Sequence, residues 1–140
     1  MASTRRKAKI APMNRLILDS GAVIALSRND ARARAVIAAA RERSAFVAIP
    51  SVVLAETVRG AATDALVNRV VTSVAAIAPA HESTGRLAGA LLAKADSRST
   101  IDALVVATAI ENGGGIVLTS DPRDLRRLAD GHDEVVIQAL

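Results

Sequence analysis

Residues 16–26 read LILDSGAVIAL. Three large apolar residues run straight into Asp19, and Ser20 and Gly21 separate that acid from a second apolar stretch. An unbroken apolar run has no polar face, so it predicts a short strand covered on both sides, as in a parallel sheet. The pattern recurs near the C-terminus, where GIVLTSD (115–121) leads into the short helical segment DPRDLRRLA (121–129). Both strands close on an aspartate.

Between them the chain alternates. The spacing predicts a strand over 16–19, helices over 20–27 and 29–43, and a strand over 45–50 stopped by Pro50 at the first turn of a helix. Arg32, Arg34, Arg41 and Arg43 face water on the 29–43 helix. Further helices are expected over 51–60, closed by Gly60, and 62–73, then a weak strand over 74–78. Helices over 81–95 and 100–112, the strand and helix at 115–129, and a terminal strand over 133–140 complete the pattern. Strands alternating with helices define βαβ units and a mostly parallel sheet with helices on both faces. The expected domain covers residues 15–140, preceded by a flexible basic extension over 1–14.

Composition narrows the chemistry. The 140 residues contain no Cys, which excludes disulfides, thiolate zinc sites and Cys nucleophiles. Two isolated histidines, His81 and His132, do not make a His-rich metal site. Aromatic residues are only 1%, which argues against a base-stacking platform. No apolar run approaches the ~18 residues of a membrane span, and no apolar segment follows the basic start as in a signal peptide. The expectation is a soluble cytoplasmic protein with no membrane partner. The sequence pI of 10.6 points to an anionic partner. Five of the 18 Lys and Arg residues fall in the first fifteen positions, which hold no acid. The remaining 13 face all 14 acids, so the basicity belongs mainly to the extension.

In parallel α/β sheets, ligands bind beyond the carboxyl ends of the strands, and acids gather there. Asp19 and Asp121 end strands, Glu56 lies one turn into the helix after the second strand, and Asp102 opens the helix IDALVVATAI. Each has an ordinary structural reading. Asp19 or Ser20 caps a helix; Ser99 and Asp102 have capping-box spacing; Asp121 caps a helix begun by Pro122, with Asp124 complementing its dipole; Glu56 pairs with Arg59. As a set, several like charges in a half-buried place are costly to ionise together. A hard cation, Mg2+ or Mn2+, offsets that cost through carboxylate oxygens and waters. Without a thiol, a His pair or a phosphate-binding lysine, such a set points to metal-assisted phosphoryl chemistry. Thr119 and Ser120 add hydroxyls beside Asp121.

Four segments in order resemble the PIN-domain superfamily of ribonucleases, most closely the VapC-type toxins of bacterial toxin–antitoxin pairs. They are LILDSGAVIAL, IPSVVLAETVRG, TIDALVVATAIENGGGIVLTSDPRDLRRLA and the closing strand, spanning about residues 15–138. The resemblance implies a three-layer α/β/α sandwich and a Mg2+- or Mn2+-dependent endoribonuclease site. It assigns Asp19, Glu56, Asp102 and Asp121 as the catalytic, metal-holding acids, with Ser20, Thr119 and Asp124 as auxiliary polar residues. It also implies an RNA substrate, a homodimer and a cognate antitoxin. A haloacid-dehalogenase-like phosphatase fits less well, because it needs a second Asp where Gly21 stands. A catalytically silent PIN-like binding module and a housekeeping RNA-processing nuclease are the alternatives within the same fold.

Overall fold

The computed structural model describes residues 14–74 and 76–140; all but the last residue of the basic 1–14 extension lie outside them. Five strands form one sheet in the order β3-β2-β1-β4-β5. They are β1 (Arg15–Leu18), β2 (Phe46–Pro50), β3 (Ala76–Ala78), β4 (Gly115–Thr119) and β5 (Val135–Ala139), and every pairing is parallel. The sheet expected to be mostly parallel is entirely so. The unbroken apolar strands explain why: Leu16, Leu18, Ile49, Val117 and Leu118 are fully enclosed and need helices on both faces.

The helices are α1 (Ser20–Ser27), α2 (Ala31–Glu42), α3 (Leu54–Thr57), α4 (Ala65–Val74), α5 (Glu82–Ala95), α6 (Thr100–Glu111) and α7 (Pro122–Leu128). From β1 the chain steps outward to β2 and β3, then crosses back to β4 and steps the other way to β5. Right-handed crossovers therefore put α1, α2 and α4 on one face and α5, α6 and α7 on the other. The packing of α1 with α4, and of α5 and α7 with α6, agrees. The reversal of direction falls between β1 and β4. Such a switch point opens a crevice at the carboxyl edge of a parallel sheet.

Two expected helices differ. The segment 51–60 is not one helix ending at Gly60: a 3-10 turn (Ser51–Val53) precedes the four-residue α3, and Val58 is already extended. The cause is Asp64. Its carboxylate accepts the backbone N–H of Arg59 (3.0 Å), Gly60 (2.7 Å) and Ala61 (3.2 Å), winding the connection around a single side chain. The 62–73 helix accordingly starts as a 3-10 turn (Ala62–Asp64) before α4 begins. On α2, Arg32, Arg34 and Arg41 face water as expected, whereas Arg43, just past its end at the C-cap, is half-buried.

The three N–H donors hold the Asp64 carboxyl below the usual carboxylate range, the Arg59 amide contributing most. A depressed native pKa contributes stability that is present at neutral pH and lost as pH falls through it. Asp64→Ala should therefore lower the Tm by several degrees at pH 7, and by much less in acid. Thermal unfolding of the pair of proteins across pH measures that difference.

Candidate active site

The crevice is built first by strand register. Leu18 lies beside Leu118, so Asp19 and Thr119 are the next residues at the same edge. The Asp19 amide donates to the Leu118 carbonyl at 3.2 Å, which extends the ladder one residue beyond β1. Asp19 then ends the strand and caps α1, its Oδ1 accepting the Ala22 N–H at 3.0 Å. The capping reading is thus correct, and it occupies only part of the carboxylate. Asp19 is 8% exposed.

Thr119, fully buried, joins the two strand ends. Its hydroxyl donates to the Asp19 carboxylate and accepts the Asp121 N–H at 2.9 Å. Asp121 occupies the cap position of α7 ahead of Pro122, yet its side chain makes no capping bond. Its exposed carboxylate is left to the crevice. Asp124 stands in the first turn of α7, where it complements the dipole as expected, but the readings of Ser99 with Asp102 and of Glu56 with Arg59 fail. Ser99 and Asp102 form no capping box; Ser99 Oγ instead donates to Asp124 Oδ2 at 3.1 Å, linking the start of α6 to the first turn of α7. Arg59 does not pair with the Glu56 carboxylate. Its guanidinium donates to the carbonyls of Ala55 (2.9 Å) and Val58 (2.8 Å) and closes α3. Glu56 Oε1 accepts a short hydrogen bond from Ser20 Oγ, which draws it toward the end of β1.

The acids sense one another. Burial raises the Asp102 carboxyl first, and Asp19, Asp124, Glu56 and Asp121 raise it further, to about 6. Burial likewise raises Asp19, with Glu56 adding to it, against hydrogen bonds from Thr119, Ala22 and Gly21. Five carboxylates from four parts of the chain therefore share one field. Of the residues expected from sequence, Asp19, Glu56, Asp102, Asp121 and Asp124 are all within it, and Ser20 and Thr119 bind two of them directly.

Donors of this kind suit a hard divalent cation, and the field that raises Asp102 is one that such a charge would offset. Among the described residues, no three His, Cys, Asp or Glu side chains stand in a closed ligand arrangement. Mg2+ does not need one, since it keeps several waters and takes one or two carboxylates directly.

Two contributors went unread in the sequence. One is Ser99, whose spacing to Asp102 suggested a cap; only the fold reveals Asp124 as its partner. The other is Gly21. A Cβ there would lie 2.0 Å from Ser120 Oγ and 3.2 Å from the Ser120 amide nitrogen, so glycine lets α1 approach the β4–α7 loop without displacing Ser120. A small residue beside a site acid was the available signal.

The fold and the crevice together define a family. The PIN domain model matches residues 16–131, and the chain belongs to that family. Among solved structures, it is similar to a chain of VapBC2 from Rickettsia felis, crystallised bound to a DNA fragment from its promoter. The TM-score is 0.70 at 15% identity, covering 90% of this chain and 98% of that one. It is also similar to a chain of VapBC-5 from Mycobacterium tuberculosis, a member of the VapBC family of toxin–antitoxin systems. There the TM-score is 0.57 at 24% identity, covering 91% and 99%. No curated protein matches the chain. Among the described residues, no helix is long and apolar enough to cross a membrane.

Two measurements test this geometry. The native protein keeps the Asp102 proton between pH 3.8 and about 6 while the unfolded chain releases it. Asp102 therefore removes stability as pH rises through that window. Asp102→Asn should gain Tm relative to the parent above pH 6 and show little gain near pH 4, in chelator. Gly21→Ala should cost about 1–3 kcal/mol from overpacking, partly offset by up to ~1 kcal/mol of helix propensity. Adding Ser120→Gly should restore the urea midpoint.

Proposed function

We propose that this PIN domain is a Mg2+- or Mn2+-dependent endoribonuclease and the toxin of a type II toxin–antitoxin pair. The observation that carries the reading is the convergence of five carboxylates at the switch point between β1 and β4. Membership of the PIN family supports a nuclease. The likeness to chains from VapBC complexes supports an antitoxin partner. A cytoplasmic homodimer acting on RNA completes the proposal.

In this reading Asp19, Asp102 and Asp121 hold the ion, and Glu56 either joins them or orients the attacking water. The bound ion supplies an activated water and offsets charge on the phosphate oxygens. The protein contributes rigidity. Thr119 fixes the Asp19 carboxylate and the Asp121 backbone with one hydroxyl, Ser20 holds Glu56, and Ser99 holds Asp124. With its pKa raised to about 6, Asp102 is mostly ionised at neutral pH and protonates in mild acid, so ion binding weakens below pH 6.

A catalytically silent binding module is the alternative reading within the same fold. Asp19→Asn separates the two. Asparagine caps a helix as well as aspartate, so the fold should persist. Losing an outer-shell partner of a metal typically costs 10–100-fold, and Asp19 is assigned to the ion itself. Cleavage of single-stranded RNA in Mg2+ should therefore fall by about a hundredfold or more, and chelator should abolish it in the parent. Full cleavage by Asp19→Asn would refute the assignment. Ion binding by calorimetry without cleavage of any RNA by the parent would favour the silent module.

A further inference from the structure

The helix that starts at the acids ends in a basic cleft. On the α5–α6–α7 face, Leu91 and Ala95 of α5 and Leu128 of α7 floor an opening of about 430 Å3. Lys94, Arg126 and Arg127 line it, with Asp130 as its one acid. Arg127 is committed in part, since its Nη2 donates to the Ala95 carbonyl at 2.7 Å and closes the end of α5. The Lys94 ammonium sits over the α7–β5 loop, 3.2 Å from where a Cβ on Gly131 would lie. Among the described residues, neither Lys94 nor Arg126 forms an ion pair. Both are exposed.

Position ties this cleft to the acids. Asp121 precedes the first residue of α7 and Arg127 is its penultimate residue. At 1.5 Å per residue these lie about 9 Å apart along the axis, roughly the rise of three stacked nucleotides. Arg123 lies within that stretch of α7 and is exposed, and the exposed Arg98 directly precedes the Ser99 that holds Asp124. The arginines of α2, by contrast, are on the opposite layer. The five carboxylates repel substrate phosphates, so cations a short distance away help to retain the strand. A guanidinium and an ammonium over an apolar floor suit a sugar–phosphate backbone.

We propose that this α5–α7 cleft seats the backbone of the RNA strand beside the scissile phosphodiester, with Lys94 and Arg126 contacting phosphates. The proposal rests on the ribonuclease reading above and adds where the substrate lies. It predicts affinity without sequence preference, since phosphate contacts position a strand and carry no base information.

The test uses the full chain in chelator, with a labelled single-stranded oligoribonucleotide of mixed sequence and anisotropy measured across salt. Two phosphate contacts contribute a slope of about −1.4 in log K against log salt, at ~0.7 per contact on single strands. Lys94→Gln with Arg126→Gln should flatten the slope by that amount and weaken binding roughly ten- to thirtyfold near 0.1 M salt. Arg32→Gln with Arg34→Gln, an equal loss of charge on α2, should change both far less. With Mg2+ present, the cleft variant should raise KM and leave kcat near the parent value. Equal losses from both pairs would mean diffuse attraction and would overturn the cleft. So would parental affinity and slope in the cleft variant. If the parent binds no RNA in chelator and cleaves none with Mg2+ present, the ribonuclease reading falls first.

Discussion

Strands β1 and β4 lie side by side although Leu18 and Leu118 are a hundred residues apart in sequence. This pairing governs the rest of the molecule. It fixes where the sheet reverses its order, sends the two sets of helices to opposite faces, and opens the crevice at the carboxyl edge. It also sets Asp19 beside Thr119, so that one buried hydroxyl bonds the end of one strand and the loop after the other. Because that hydroxyl has a single proton, giving it to Asp19 leaves only its lone pairs for the Asp121 amide. The direction of both bonds is thereby set.

The sheet was legible because its strands are apolar on both faces and end on acids, and because helical spacing is strong on either side of them. Asp19, Asp102 and Asp121 were legible for the same reason: a carboxylate next to a closed core is conspicuous. What escaped the sequence were contacts between distant segments. Asp64 shortens α3 by gathering three amides that follow it in space and precede it in the chain. Helical periodicity carries no trace of such a contact. Ser99 has the spacing of a cap and yet serves Asp124, because α7 offers a partner that local sequence does not contain.

The ordinary readings of the acids fared unevenly, for a physical reason. Capping and coordination need not compete when they use different oxygens, so Asp19 can cap α1 and still present a lone pair to the crevice. Glu56 differs. Its neighbour Arg59 is drawn away by free carbonyls at the end of a four-residue helix, where a guanidinium satisfies several acceptors at once. The brevity of α3 thus leaves the Glu56 carboxylate without its local cation, and Ser20 becomes its partner.

The crowding that lifts Asp102 to about 6 has an evolutionary side. Like charges held together strain the fold, so replacing one of them with a neutral residue is a step toward greater stability. Function and stability therefore pull in opposite directions at these positions, as they commonly do at active sites. Neutralising Asp102 alone would run downhill in free energy, whereas losing Asp19 would also cost α1 its cap.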